Sequence, residues 1–145
     1  RFSNEKMKLA VLISMLIASS YGVKTSKVTI GGTLTCSRPF HYRVTLWEED
    51  NPGYHDMIGT LETLPSNNNT AHFEIYGDAY DGFAQNYVEP AVTIEHSCGR
   101  ISACTCRIYE TTGVNFVRNT GTIDLDNDQS YCNICEQIHS ERGRP

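Results

Sequence analysis

Residues 28–36 read Val28-Thr29-Ile30-Gly31-Gly32-Thr33-Leu34-Thr35-Cys36. Val28, Ile30, Gly32, Leu34 and Cys36 fall on one side of an extended chain, and Thr29, Thr33 and Thr35 fall on the other. A strand turns alternate residues to opposite faces, so this pattern describes a strand with one face in a core. The same period returns further along. Tyr42, Val44 and Leu46 stand against Arg43, Thr45 and Trp47. Ala71, Phe73 and Ile75 stand against His72, Glu74 and Tyr76, and Val92 and Ile94 against Thr93 and Glu95. Met57 to Leu64, Arg107 to Tyr109 and Gly121 to Leu125 complete a set of about seven short strands. Beyond residue 24 no segment keeps a helical period. Asn51-Pro52-Gly53 and Pro65-Ser66-Asn67-Asn68-Asn69 are turn sequences between strands. Gly77 to Tyr87 lacks clean alternation and reads as a long loop or a short helix. The expected fold is all-β, an antiparallel β-sandwich.

The chain has 145 residues, of which 39% are hydrophobic and 20% charged, enough apolar material for one packed domain. Its formal net charge is −5. Acidity and the lack of any basic run exclude nucleic acid as the main partner, because phosphate binding needs clustered cations.

Met7-Lys8 precedes Leu9 to Ala18, a stretch apolar except for Ser14, and Ser19, Ser20, Tyr21 and Gly22 follow. A basic start, a short apolar core and small residues at the exit are the parts of a secretory signal peptide. The stretch is too short to span a membrane as a helix. Residues 1–22 are therefore expected to be leader plus signal peptide, with cleavage after Ser20 or Gly22. Residues 23–126 are expected to form the sandwich, and residues 127–145 a cysteine-containing tail. Removing the first segment takes away Arg1, Lys6, Lys8 and Glu5. Nine basic and sixteen acidic residues remain, a net charge of −7. The expected location is secreted and extracellular, with no transmembrane segment in the mature chain.

Cys36, Cys98, Cys104, Cys106, Cys132 and Cys135 are then expected to form disulfides, since an oxidising compartment keeps them paired. The rival is a four-thiolate zinc site from Cys104-x-Cys106 and Cys132-x-x-Cys135, which the compartment disfavours. Six cysteines allow fifteen pairings, and spacing does not choose among them. The working hypothesis pairs Cys36 with Cys98 and bridges the two close pairs to each other.

The strand motifs carry a resemblance. Gly32-Thr33-Leu34-Thr35-Cys36 closes the first strand and Val44-Thr45-Leu46-Trp47-Glu48-Glu49-Asp50 forms the second. Phe73-Glu74-Ile75-Tyr76-Gly77 follows the asparagine turn. Glu89-Pro90-Ala91-Val92-Thr93-Ile94-Glu95-His96-Ser97-Cys98 and Gly121-Thr122-Ile123-Asp124-Leu125 come later. In order and spacing these resemble the nematode transthyretin-like family over roughly residues 27 to 126. The resemblance implies a transthyretin-type, immunoglobulin-like sandwich secreted from a nematode cell. The chain departs from the family's pattern at Ala71-His72-Phe73, at the asparagine-rich turn, at Arg107-Ile108-Tyr109 and in its Cys132-x-x-Cys135 tail. A fold constrains activity weakly.

Candidate sites are few. His96 shares a face with Val92, Ile94 and Cys98 and is expected to be a satisfied sheet-end histidine. His41, His55, His72 and His139 are scattered. Hydroxyisourate hydrolases, enzymes of the same fold type, end in Tyr-Arg-Gly-Ser, whereas this chain ends Glu141-Arg142-Gly143-Arg144-Pro145. Glu48 and Glu49 point to opposite faces, so they do not form a glycosidase pair, and Glu48-Glu49-Asp50 reads as a charged loop entrance. Asp124, Asp126 and Asp128 imitate the opening of a calcium loop, but Gln129 and Cys135 stand where glycine and a bidentate glutamate are required. These aspartates read as a solvated strand end, and no metal or cofactor is expected. Asn68-Asn69-Thr70 is a glycosylation sequon on an exposed turn. Tyr76, Tyr80, Phe83 and Tyr87 are candidate ligand-binding aromatics. The expected function is non-enzymatic binding of a protein, a cell surface or a small hydrophobic molecule. The alternatives are a hydrolase of the hydroxyisourate type and a structural secreted protein. A homodimer through strand edges is a further expectation.

Overall fold

The structure, a computed structural model, describes residues 25–51, 54–80, 88–99, 103–109, 115–128 and 130–136. The expected leader and signal peptide lie outside these residues. Eight strands occur among them, in the order β1 (Thr25–Thr35), β2 (His41–Asn51), β3 (Tyr54–Thr60), β4 (Leu64–Pro65), β5 (Thr70–Tyr80), β6 (Pro90–His96), β7 (Ala103–Ile108) and β8 (Asn115–Asp124). They build two sheets. One has the order β5-β1-β8. The other has the order β3-β2-β6-β7, with the two-residue β4 also pairing β2. No helix among the described residues is long and apolar enough to cross a membrane.

The alternation in the sequence becomes the core. Val28, Ile30 and Leu34 of β1 meet Val44, Leu46, Phe73, Ile75, Val92 and Ile94, all at most 5% exposed. All pairings are antiparallel except one, for β8 runs parallel to β1. Periodicity reports which face a residue takes, not the direction of a neighbouring strand, so the parallel pairing had no signal in the sequence.

Two segments differ from the sequence-based expectation. Gly77 to Tyr80 continues β5 instead of entering a loop, because Thr25 to Val28 supply its ladder partners. The alternation breaks at Gly77 for a steric reason. A Cβ there would lie 2.3 Å from the Ile58 carbonyl oxygen, and one at Gly59 would lie 2.7 Å from the Tyr76 carbonyl oxygen. The two glycines let β3 and β5 touch backbone to backbone, which closes that corner of the sandwich. Met57 to Leu64 is likewise two strands. β3 leaves β2 after Thr60, and Leu64–Pro65 pairs again with Tyr42 and His41.

The described part of the tail, residues 130–136, belongs to the fold. Cys104 and Cys106 lie two apart on β7 and so share a face. Cys132 and Cys135 lie one helical turn apart, at a turn over 133–136. The disulfides are Cys36–Cys98, Cys104–Cys135 and Cys106–Cys132. The last two hold Ile134 against Trp47 and Ala91 on the far side of the larger sheet, forming a second small core with Cys132. The same docking buries Trp47 and Thr93, whose positions opposite the main core had read as outward. Glu48 is also buried, at 2% exposure, inside β2 and not at a loop entrance.

Candidate functional site

The sandwich opens at the end where β6 and β8 finish. A cleft of about 430 Å³ lies there, lined by His96, Thr105, Leu125, Asp126, Asp128 and Tyr131 and walled by Cys98 and Cys104. The two cysteines belong to different disulfides, so the β6 end and the docked tail are covalently held around the opening.

Each polar side chain arrives by a simple route. The pleat that turns Val92 and Ile94 inward also turns His96 inward, just past the end of the apolar row, and leaves it 5% exposed. Thr105 stands opposite Ile94 on β7 and is buried beside it. Asp126 and Asp128 follow β8 in a turn organised by Asp124. The Asp124 carboxylate accepts from the Asp126 amide at 3.1 Å and from the Asn127 side-chain amide at 2.7 Å, and its carbonyl accepts from the Asp128 amide at 2.8 Å. Tyr131 follows Ser130, whose carbonyl accepts the Cys106 amide.

Charge in the cleft is unevenly satisfied. Asp128 forms an ion pair with Arg107, its side chain only 9% exposed, and accepts the Ser130 amide at 2.9 Å. Burial works to raise its pKa, but the Arg107 guanidinium and Ser130 together overturn that and hold it below its ordinary value. Asp126 accepts the Ser37 hydroxyl at 3.0 Å and the Ser37 amide at 2.5 Å, which ties the turn to the residue after Cys36. Its Oδ1 also lies 3.4 Å from Cys98 Sγ and 3.9 Å from Cys36 Sγ. Those sulfurs are joined in a disulfide, so they have no proton to donate and no thiolate to offer a metal. The cluster is not a metal site.

His96 is the least satisfied group. Nε2 lies 3.4 Å from Thr105 Oγ1, while Nδ1 has no hydrogen-bond partner of ordinary geometry. Burial lowers its pKa, and Asp128, the Cys98 backbone and Asp126 oppose that only in part. Burial thus favours the neutral imidazole, which has one nitrogen to donate and one to accept. Two carboxylates, a neutral imidazole, a threonine hydroxyl and a phenol can together hold a small polar molecule by several hydrogen bonds.

The sequence candidates are distributed differently. Asn68 sits exposed on a two-residue turn closed by Asn67 and Thr70, with φ of 56°. Tyr76 is 78% exposed on the outer face of β5, opposite Thr29, well away from the cleft end of that strand. Phe83, Tyr87 and the side chain of Tyr80 lie outside the described residues, as does His139. His72 Nδ1 pairs with Thr33 Oγ1 at 2.9 Å on the same outer face as Tyr76. Among the described residues His96 is the one histidine lining the cleft. Of the three aspartates that read as a solvated strand end, Asp124 and Asp126 are exposed, Asp126 also bracing Ser37, whereas the Asp128 side chain is mostly enclosed. Thr105 and Tyr131 carried no signal at all, and the in-phase position of His96 after Val92 and Ile94 was the single clue.

A scan against protein-family models gives no match, and no curated protein matches the chain.

Proposed function

We propose that the chain is a secreted, extracellular binding protein of the transthyretin-like kind, non-enzymatic, whose ligand is a small polar molecule received in the His96 cleft. The observation that carries this reading is His96 itself, buried and with Nδ1 lacking a hydrogen bond of ordinary geometry, at the wall of a cleft that also presents Asp126, Asp128 and Tyr131. A buried polar atom without a partner is costly unless something supplies one. The polar lining favours such a ligand over a small hydrophobic one. Three disulfides belong with an oxidising, extracellular environment. The motif order in β1, β2, β5 and β6 supports the family assignment.

The hydroxyisourate-hydrolase alternative calls for three histidines, or two with an arginine, converging in one cleft. His96 is alone among the described residues in this one, which leaves the binding role the better supported. In the same reading Asn68 carries an N-linked glycan. A mass shift removed by glycosidase from protein made in a secretory route is the expected result, and an unmodified Asn68 would oppose it.

The test is an NMR titration of the oxidised protein with small amines, carboxylic acids and sugars. Saturable shifts at His96 and Tyr131, lost in His96→Asn, are expected from at least one class. Turnover of hydroxyisourate with no saturable binding from any class would overturn the proposal.

A further inference from the structure

We infer that the His96 cleft takes a small primary amine in its protonated form, with the Asp126 carboxylate as counter-ion. This rests on the cleft being the ligand site, and it names the charge and the donor set of the ligand.

The two carboxylates that line the cleft differ in what already satisfies them. Asp128 is neutralised by Arg107 and accepts the Ser130 amide, so its charge is spent inside the protein. Asp126 is exposed and forms no ion pair among the described residues. Its donors are the Ser37 amide and hydroxyl, both neutral. Its Oδ1 otherwise faces the Cys36–Cys98 sulfurs, which have no proton to give. Among the described residues no lysine or arginine lines the cleft. Arg38 stands beside it, with Nη2 4.0 Å from where a Cβ on Gly99 would stand. The lining therefore carries one uncompensated negative charge, and a cation is its complement.

His96 points to the same ligand by a separate route. It is 5% exposed, lines the cleft, and its Nδ1 lacks a hydrogen bond of ordinary geometry. The Asp126 carboxylate only accepts, a neutral imidazole accepts at one nitrogen, and the Thr105 and Tyr131 hydroxyls accept as well as donate. A primary ammonium brings three donors and no acceptor, which matches that set. A carboxylate ligand would meet Asp126 with like charge. A divalent cation needs six or more oxygen ligands, and one of the two carboxylates is already held by Arg107. Tyr131, 54% exposed, adds an aromatic ring that attracts a cation, and Leu125 and Ala103 add apolar wall for a short alkyl chain. Asp126 is open to solvent and screened, so the affinity is weak.

The experiment is an NMR titration of the full, oxidised protein with n-butylammonium, n-butyltrimethylammonium, n-butanol and butyrate, which share one alkyl chain, and with calcium chloride. Saturable shifts at the His96 and Tyr131 amides are expected from n-butylammonium, and the other probes are expected to bind about tenfold more weakly or less. Asp126→Asn keeps an oxygen for Ser37 and, with the native disulfides verified by peptide mapping, is expected to weaken n-butylammonium by about tenfold or more. Arg38→Gln is expected not to weaken it. Butyrate, n-butanol or the trimethyl probe binding as tightly as n-butylammonium would overturn the inference and leave the cleft a binding site. Calcium shifting these amides where n-butylammonium does not, or undiminished binding in Asp126→Asn, would do the same. No saturable shift from any probe would overturn the inference and count against the cleft as a ligand site altogether.

Discussion

The indole N–H of Trp47 donates to the Thr93 hydroxyl at 2.8 Å, on the face of the larger sheet opposite the main core. Both residues are buried there, Trp47 packed against Ile134 and Cys132 and Thr93 hydrogen-bonded beneath it. A polar pair at an ordinary exposed sheet position would be bonded to water instead. Here the tail excludes water and makes the pair obligatory.

Thr93→Val keeps the shape and removes the acceptor. It is expected to destabilise the oxidised protein by about 1–3 kcal/mol, the cost of an unsatisfied buried donor. Ile134→Ala empties the other side of the same small core and is expected to cost about 2–5 kcal/mol. Urea denaturation with unchanged slope checks both, and a change below the error of the midpoint at either position would contradict the docking of the tail.

Non-reducing peptide mapping is expected to return Cys36–Cys98, Cys104–Cys135 and Cys106–Cys132. Replacing Cys104 and Cys135 together with serine is expected to lower stability by about 2–4 kcal/mol. It should also raise the fluorescence exposure of Trp47, the chain's one tryptophan. A Cys104–Cys106 linkage would be incompatible with the fold.

Acid stability is expected to fall in two steps. His96 has its pKa lowered from 6.5 by burial, so the unfolded chain takes up that proton at higher pH than the folded one. Its contribution is full above 6.5 and is lost as pH falls below that value, down to the lower folded pKa. Asp128, held below 3.8 by Arg107 and Ser130 against the effect of burial, contributes above 3.8. That contribution is lost as pH falls through its own folded pKa. His96→Gln is expected to remove the first step and Arg107→Gln to diminish the second, with urea midpoints against pH as the measurement.

Gly77→Ala places a methyl where the Ile58 carbonyl oxygen stands. Backbone meets backbone there, so relief requires parting β3 from β5. A loss of about 1–3 kcal/mol is expected, and hydrogen exchange should rise first in β3. An unchanged exchange pattern would show that the corner is not closed by this contact.

Much of this protein was legible before any tertiary information. Val28, Ile30 and Leu34, and likewise Val44 and Leu46, announce their burial because a strand repeats every two residues and a core accepts one face. The asparagine turn was legible for a similar local reason. Asn68 tolerates the left-handed backbone that a two-residue reversal needs. What depends on distant neighbours was not legible. Trp47 and Thr93 sit in the phase of exposed residues and are buried only because the tail, about eighty-five and about forty residues further along the chain, folds over them. The break at Gly77 looked like a loop and is a crossing of two strands.

The sequence by itself determined that this chain is a β protein, which residues line its main core, where it turns, and that six cysteines would hold it. Those properties are set by nearest neighbours along the chain and by composition. Only the tertiary structure decided that β8 runs parallel to β1, that the tail covers the larger sheet, and that His96 meets Asp126 and Asp128 across a cleft. These are relations between residues about thirty or more positions apart along the chain. The physical reason is that a pattern of period two specifies a face, while the partner met on that face is chosen by topology and by the disulfides that close it.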